Sequence, residues 1–416
     1  MYKEKETVKT VHIQKINETD QTRSGTTRDL DWWLGLAAIV CIIAAGIFGY
    51  TQSTNAIEPA LHKAVPSATR FERLDDVTFA AYDGQDAETF RCYVSLGTAN
   101  GYGGPLVLAV ATDLKGSITG VGVVDHKETP NWFKRVAASG FTETLLGKSY
   151  TDAFSFGEDL AAVAGATYTS RALAKAALQG SRTIAKSQLN LSVPPEPVER
   201  IQFGVPEIVL IVLFAVGFIG HRRSFKFTKQ ARWFSMVVGM IVLGFWYTEP
   251  LTISHINKLL LGFWPEWQTH IYYYLLVTGI FLVLTIDNKN PYCMWFCPFG
   301  AAQECMGLVG GAKQAKNIPY KSGFKWAQRG LAFMAIIIAL LFRNPGLSGY
   351  EIFGTLFDLD GSIFLFFLLG LVLVTAMFIR RPWCNYLCPI PPIEGFIKML
   401  RRRVKKVWLK RTQKNA

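Results

Sequence analysis

The chain divides by the length of its apolar runs. Residues 32–50 are apolar and uncharged, and they begin with a Trp pair and end with Tyr50. A run of this length with aromatic residues at its ends is typical of one membrane helix, whereas a cleaved signal peptide has a shorter apolar core and a smaller polar preface. Five further apolar runs predict helices over 206–220, 233–250, 270–286, 327–342 and 362–379. The pattern therefore predicts six transmembrane helices.

Between the first two apolar runs, residues 51–200 have the pattern of a folded soluble domain. Residues 105–124 carry strand-forming residues on both sides of the turn Asp113-Leu114-Lys115-Gly116, which predicts a hairpin. A helix is predicted from Ser170 as N-cap, because residues 171–178 are strong helix formers. We therefore expect an α+β domain, followed by a five-helix membrane domain over 206–395.

The charge pattern gives an orientation. A net charge of +13 on a soluble protein would indicate nucleic acid, but here the basic residues flank apolar runs, as the positive-inside rule predicts. The connections 221–232 and 287–326 and the segment after 379 are basic, whereas the opposite loops carry only Lys258 and Arg343 as positive charges. We expect both termini in the cytoplasm, the α+β domain in the periplasm of a bacterial inner membrane, and no nucleic-acid partner.

Composition predicts a polar tail at each end of the chain. Residues 1–31 are polar with mixed charge and no hydrophobic period, which predicts a cytoplasmic tail. Residues 396–416 are dense in Lys and Arg, which predicts a basic cytoplasmic tail that contacts anionic lipid headgroups.

One short stretch suggests a cofactor. Ala164-Gly165-Ala166-Thr167-Tyr168-Thr169-Ser170 lies just before the predicted helix. Small residues at Gly165 and Ala166 let a bulky group approach the backbone, and a helix that follows would direct free N–H groups at an anion. An ordinary turn before a helix is the alternative interpretation.

The Gly-Ala-Thr-x-Thr core resembles the covalent flavin signature in the C subunit of the sodium-pumping NADH:quinone reductase. That resemblance implies FMN carried as a phosphoester on Thr169, attached by a flavin transferase. It also makes cofactor-binding candidates of the residues around the ester, which are Gly165, Ala166, Thr167 and Ser170.

Two more segments match the same flavin family in the same order: the Gly-rich residues 97–104 before the first strand of the hairpin, and His126-Lys127-Glu128-Thr129-Pro130 after its second strand. The resemblance implies that His126, Glu128 and Thr129 bind the cofactor, although a lone His is more often a structural hydrogen-bonding residue. Asn131-Trp132-Phe133 follows, and its two aromatic residues either stack on the flavin or belong to the core.

This last segment is closer to the NosR-type proteins of nitrous oxide respiration and to the membrane flavoproteins that accompany reductive dehalogenases. Together the matches imply an α+β extracytoplasmic flavin domain attached to a polytopic α-helical membrane domain. NosR-type proteins usually continue into a ferredoxin-like domain. Since this sequence ends at Ala416 without one, we expect the dehalogenase-associated organisation.

Five of the seven cysteines fall between Cys293 and Cys388. The segments Tyr292-Cys293-Met294-Trp295-Phe296-Cys297-Pro298 and Trp383-Cys384-Asn385-Tyr386-Leu387-Cys388-Pro389 form a repeat that follows the fourth and the sixth predicted helix. Four thiolates suit an iron–sulfur cluster or a zinc ion, and spacing alone does not separate the two. Disulfides and free thiols are disfavoured for matched cysteines in a reducing cytoplasm.

The resemblance favours the iron–sulfur interpretation, because NosR-type proteins carry similar Cys-x3-Cys-Pro pairs after membrane helices. It implies a cluster, of the 4Fe-4S type, held by Cys293, Cys297, Cys384 and Cys388. The remaining cysteines lie outside this set: Cys305 is left out of the ligand set, Cys92 has no assignment, and Cys41 is interpreted as a small hydrophobe.

These expectations together predict a transmembrane electron-transfer flavoprotein that supplies a periplasmic reductase or a membrane redox partner. The hydrocarbon core is ~30 Å thick, so a quinone, a domain that holds its flavin at the membrane, or a partner subunit must bridge the two cofactors. A redox sensor or maturation factor for a periplasmic metalloenzyme is the second hypothesis, and a zinc-stiffened scaffold is the third.

Overall fold

The computed structural model describes residues 32–51, 57–83, 89–157, 159–163, 166–195, 201–222, 226–312, 321–359 and 361–414. The predicted tail over 1–31, and Gly165 of the flavin motif, lie outside these residues. We call residues 57–195 the sheet domain, and residues 32–51 together with 201–414 the helical domain.

The sheet domain contains five antiparallel strands in the order β1-β2-β3-β4-β5. The strands are β1 (Arg70–Arg73), β2 (Thr78–Asp83), β3 (Thr89–Asn100), β4 (Pro105–Thr112) and β5 (Ile118–His126). Its helices are α2 (Ile57–Ala64), α3 (Pro130–Ala138) and α4 (Thr167–Ser187). The predicted α+β class is confirmed for this part of the chain.

Helices cover both faces of the sheet. Alternate residues of β4 point to opposite sides, so that Leu108 joins the core beneath α4 while Ala109 joins the core beneath α2. The predicted hairpin is confirmed: the Asp113 side chain accepts hydrogen bonds from the next backbone N–H groups, and Gly116 has a φ of 83° that only glycine adopts easily. The hairpin carries the 126–130 segment to the edge of the domain where α4 begins.

One sequence-based boundary was wrong. The Gly-rich segment 97–104 does precede β4, the first strand of the hairpin; its residues 97–100 belong to β3 and residues 101–104 form the turn between the two strands. Helix α4 begins at Thr167 with Ala166 as N-cap, so Ser170 is not the cap. The Ser170 side chain is fully buried in the first turn and donates a 3.0 Å hydrogen bond to the Ala166 carbonyl. Burial of this turn outweighed the intrinsic preference of Ser for a cap.

The helical domain is all-α in its described residues. Its elements are α1 (Trp32–Thr51), α5 (Val205–Arg222), α6 (Thr228–Val238) with a π-helical continuation (Gly239–Trp246), α7 (Ile253–Leu261), α8 (Ile271–Asp287), a π-helical turn (Tyr292–Phe296), α9 (Pro298–Gly310), α10 (Lys321–Leu341), α11 (Phe353–Phe357), α12 (Ile363–Phe378), α13 (Pro382–Tyr386) and α14 (Ile390–Lys414).

A helix covers most of each predicted span. Two described helices, Trp32–Thr51 and Ser322–Leu341, are both long and apolar enough to cross a bilayer. The shorter apolar helices are Val205–Gly220, Ile271–Asp287 and Ile363–Phe378. The helical character of the C-terminal part is therefore confirmed, while six membrane crossings remain a prediction.

The helical domain has two distinct ends. At one end Glu304, on α9, pairs with Arg232 at 2.6 Å and with Arg380 at 3.2 Å, which brings the three basic connections together. At the other end the domain contacts the sheet domain. Helix α1 runs between them, because Arg403 of α14 lies over the Trp32 ring and Arg343 lies over the Tyr50 ring.

Candidate functional site

The three segments that carry the flavin resemblance converge on one buried hydroxyl. Thr169 Oγ1 donates a 2.9 Å hydrogen bond to Glu128 Oε2, and the backbone N–H of Gly103 donates to Glu128 Oε1 at 3.3 Å. Thr169 is 2% exposed and Glu128 is 0% exposed. We call these three residues, with Gly101, the attachment site, after the flavin attachment that the sequence predicts at Thr169.

The local backbone explains why this site forms. A Cβ atom on Gly101 would collide with the Glu128 carboxylate, and one on Gly103 would collide with the backbone at residue 127, so the turn closes over Glu128 only with glycine. Thr169 lies in the first turn of α4, where backbone N–H groups lack partners inside the helix. The site therefore offers a hydroxyl beside an anion-binding helix terminus.

Glu128 is chemically distinct from a surface carboxylate. Burial raises its pKa above the ordinary value, while the hydrogen bonds from Thr169 and Gly103 and the positive charge of Lys258 oppose that change. A carboxylate 2.9 Å from the Thr169 hydroxyl can accept its proton when an ester forms at that oxygen. Glu128 is therefore placed to act as a proton acceptor for the Thr169 hydroxyl.

The other predicted flavin contacts lie nearby in structural roles. His126 stacks on Phe133 with ring centroids 3.6 Å apart, and Phe133 and Trp132 pack against the sheet-domain core. Burial lowers the pKa of His126, and its Nδ1 has no hydrogen-bond partner among the described residues. Thr129 precedes α3 and lies against Gly346 of the helical domain. Thr167 is the first residue of α4.

The attachment site faces the helical domain, which sequence reasoning did not find. The ring of Tyr168 lies 5.2 Å from that of His270, and the Lys258 ammonium lies 4.0 Å from the centre of the Tyr102 ring. Lys258 had stood out in the sequence only as an isolated positive charge in its loop. Its contact with Tyr102 could not be predicted from the sequence, because the two residues lie on different domains and meet only where the domains dock.

The four repeat cysteines lie together at the other end of the helical domain, where Cys388 is buried and the other three are partly buried, and we call this place the thiol pocket. Cys293 lies in the π-helical turn, Cys297 caps α9, Cys384 lies in α13, and Cys388 follows it. Each thiol interacts electrostatically with the other three, and burial raises the pKa of all four. Ionised sulfurs here need positive charge brought by a ligand.

The geometry of the pocket bears on what it could bind. Among the described residues, no group of three or more His, Cys, Asp or Glu side chains is placed to hold one metal ion. A zinc ion needs its thiolates around a single centre, whereas an iron–sulfur cluster spreads them over several iron atoms. The choice between a cluster and a single ion therefore stays a prediction from the resemblance.

Hydrogen-bond donors lie beside three of the four sulfurs. Asn290 Nδ2 lies 3.3 Å from the Cys293 sulfur, the Gly300 N–H lies 3.5 Å from that of Cys297, and Gln303 Nε2 lies 3.4 Å from that of Cys384. Hydrogen bonds to sulfur stabilise thiolate ligands and tune the potential of a cluster. These donors were missed because Asn and Gln carry no motif of their own.

Arg381 places positive charge beside the pocket. Its Nη1 donates a 2.6 Å hydrogen bond to the Cys293 carbonyl, and its Nε lies 2.7 Å from the Glu304 carboxylate. Burial alone would raise the pKa of Glu304, but the hydrogen bond from Arg232 and the nearby guanidinium charges hold it below the ordinary value. The arginines and Glu304 therefore fix the three segments around the thiols.

The remaining cysteines are placed as follows. Cys92 is buried in the sheet-domain core, where desolvation raises its pKa to about 11 against the charge of Arg91. Cys305 lies on α9, partly buried near Glu304. Cys41 is exposed on α1, a helix long and apolar enough to cross a bilayer.

Comparison with protein families supports both sites in coarse form. Residues 101–180 match the FMN-binding domain, and this segment contains Thr169. Residues 269–317 and 361–407 match the 4Fe-4S binding domain, and each of these segments contains one cysteine pair. An FMN-binding domain and a 4Fe-4S binding domain therefore occur together in this chain.

Three relatives are similar to parts of the chain. Protein NirI of Paracoccus denitrificans is 27% identical over 224 residues, which cover 47% of this chain and 32% of NirI. The regulatory protein NosR of Pseudomonas aeruginosa is 26% identical over 212 residues, covering 46% of this chain and 29% of NosR. The putative electron transport protein YccM of Escherichia coli is 24% identical over 139 residues, covering 30% of this chain and 39% of YccM.

The chain thus spans about a third of the length of these relatives. The predicted resemblance to NosR-type proteins that combine an FMN-binding domain with a 4Fe-4S domain is confirmed.

Proposed function

We propose that this chain is a transmembrane electron-transfer flavoprotein, with FMN held as a phosphoester on Thr169 and a 4Fe-4S cluster held by Cys293, Cys297, Cys384 and Cys388. FMN supplies one- and two-electron chemistry when bound, and the cluster supplies one-electron chemistry. The chain itself positions these groups and sets their surroundings. Its periplasmic or membrane redox partner accepts or donates the electrons.

The observation that carries this proposal is the docking of the attachment site on the domain that contains the thiol pocket. Tyr168, next to Thr169, lies against His270 at one end of the helical domain. From that end a single hydrophobic core continues through Tyr272 and Tyr292 to Cys388. A domain that holds its flavin against the membrane part is therefore favoured over a separate partner subunit as the bridge between the two cofactors.

The placement of charges supports the orientation. Arg232, Glu304 and Arg380 join the basic connections at the end that contains the thiol pocket, and the sheet domain sits at the opposite end. By the positive-inside rule the thiol pocket is cytoplasmic and the sheet domain is periplasmic in a bacterial inner membrane. Helix α1 connects the two sides with its N-terminal end near α14.

The composition of the purified protein tests this proposal. Full-length protein is extracted in detergent after expression with a flavin transferase, then digested for peptide mass analysis and assayed for iron, acid-labile sulfide and zinc. We expect the mass of FMN on the peptide that contains Thr169, together with iron and sulfide. Zinc without acid-labile sulfide would contradict the cluster and favour a zinc-stiffened scaffold. Flavin that dissociates from the protein in denaturant would contradict the phosphoester on Thr169.

A regulatory role is the second candidate, because one similar protein, NosR, is described as a regulatory protein. The same cofactors would then report redox state to the assembly of a periplasmic metalloenzyme. The rate of electron passage separates the two roles. A carrier passes electrons to an acceptor as fast as respiration requires, whereas a sensor equilibrates slowly.

A further inference from the structure

Lys258 is a buried cation at the junction of the two domains. It belongs to α7 of the helical domain and is 5% exposed. Its ammonium lies 4.0 Å from the centre of the Tyr102 ring and 6.0 Å from that of Tyr273. A lysine loses considerable hydration free energy when it is enclosed by aromatic rings, so it is retained where an anion compensates.

The anions around Lys258 lie on both domains. Burial lowers the pKa of Lys258, while the charges of Glu249 and Glu128 act in the opposite direction. Glu249 belongs to the helical domain and is 8% exposed, and Glu128 belongs to the attachment site. Lys258 therefore connects the carboxylate beside Thr169 with the interior of the helical domain.

Esterification changes the charge at this junction. The Thr169 hydroxyl donates a hydrogen bond to Glu128, and an ester at that oxygen removes this donor and adds a phosphodiester with one negative charge. The phosphodiester would then lie beside the Glu128 carboxyl group in a site where both residues are buried. A buried phosphodiester anion is strongly unfavourable without a cation.

We propose that Lys258 of the helical domain is the cation that balances the phosphate of FMN on Thr169 of the sheet domain, so that both domains share one cofactor site. Tyr102 supports this placement, because it lies between Gly101 and Gly103 of the turn that closes over Glu128, and its ring holds the ammonium beside that turn. This inference rests on the proposed attachment at Thr169. It adds that flavin loading stabilises the docked arrangement of the domains.

The experiment compares loaded and unloaded protein. Full-length wild type and Lys258→Met are each prepared with and without a flavin transferase, and attachment is measured by intact mass. Thermal unfolding in detergent then gives the shift in melting temperature that FMN causes in each protein. We expect a clear rise on loading in wild type, and a rise that is lost or reversed in Lys258→Met.

Three variants serve as controls. Lys258→Arg keeps the charge and should keep most of the rise. Lys175→Met removes an exposed ion pair to Glu266 that also joins the domains, so it should leave the rise unchanged. If Lys258→Met alone does not fold, Glu249→Gln and the double variant Lys258→Met/Glu249→Gln are compared instead. The second substitution removes the carboxylate that would lose its cation.

The outcomes separate this inference from the attachment itself. A wild type with no FMN mass on Thr169 overturns the attachment, and the role of Lys258 with it. Attachment with an equal rise in wild type and Lys258→Met overturns the role of Lys258 alone.

Discussion

The attachment site and the thiol pocket are built in opposite ways. The attachment site satisfies its own polar groups, because the Thr169 hydroxyl and the Gly103 N–H both bond to Glu128. In the thiol pocket, one buried and three partly buried thiols gain little from one another, since neighbouring sulfurs oppose ionisation. The first site is complete before its cofactor arrives, whereas the sulfurs of the second ionise only when a ligand brings positive charge.

This contrast predicts which of the two sites is stable in the folded protein without its cofactor. Hydrogen-bonded polar groups stabilise a buried site on their own, but uncompensated thiolates do not. We therefore expect the sheet domain to fold equally well with or without flavin chemistry at Thr169, and the thiol end of the helical domain to depend on its metal content. Four predictions test this contrast, from the largest expected effect to the smallest.

Thr169→Ala should abolish covalent flavin completely, because no other hydroxyl occupies that position beside Glu128. Membrane insertion and iron content should be unchanged. Intact mass and in-gel flavin fluorescence after denaturation measure the loss. Thr183→Ala, farther along α4 and hydrogen-bonded to the Gln179 carbonyl, is the matched control and should retain flavin. FMN mass retained in Thr169→Ala would refute the attachment site.

Cys384→Ser should reduce iron and acid-labile sulfide to background, because it removes one of four ligands from the thiol pocket. The loss of the cluster should also lower the melting temperature of the protein, while the amount of covalent FMN stays near that of wild type. Cys305→Ser is the control and should keep its iron. Equal iron in both variants would remove Cys384 from the ligand set.

Arg381→Gln should lower the free energy of unfolding by about 1–3 kcal/mol, because it removes the charged donor to the Cys293 carbonyl and one of the three guanidinium groups around the buried Glu304 carboxylate. Denaturant unfolding in detergent measures the change. Arg380 contacts the same carboxylate at 3.2 Å but is 47% exposed, so Arg380→Gln should cost less. A larger loss in Arg380→Gln than in Arg381→Gln would contradict this account of the pocket.

Glu128→Gln should change how stability depends on pH in the unloaded protein. Because burial raises the pKa of Glu128 in the folded state, the folded protein holds a proton that the unfolded chain releases above about 4.5. Stability from this group therefore falls as pH rises from there to the folded-state pKa, by at most about 1.4 kcal/mol per pH unit. The melting temperature of Glu128→Gln relative to that of wild type should therefore increase as the pH rises above about 4.5. A difference in melting temperature that stays constant with pH would contradict this role of Glu128.

Much of this architecture could be predicted from the sequence. The flavin segments at residues 97–104, 126–130 and 164–170 were identified from short motifs, and the structure brings their described residues together around Thr169. The cysteine repeats likewise marked the residues that now share one pocket. Both signals are local, because the spacing of a motif along the chain is the same whatever the rest of the fold.

The missed features depend on contacts between distant segments. Lys258 meets Tyr102 only through docking of the two domains, and Gln303 meets Cys384 only through packing of α9 against α13. The start of α4 was wrong for a related reason: Ser170 has the propensity of a cap, but its burial placed it inside the first turn. Propensity describes one segment, whereas these positions were decided by its neighbours.

Electron passage between the two sites is the most direct test of the central claim. Wild type, Cys384→Ser and Thr169→Ala are reconstituted in lipid vesicles, and a membrane-impermeant reductant is supplied only on the side that exposes the basic C-terminal segment. The absorbance of the covalent flavin should bleach in wild type and should persist in Cys384→Ser. Equal bleaching in both proteins, or none in wild type that contains both cofactors, would contradict the account.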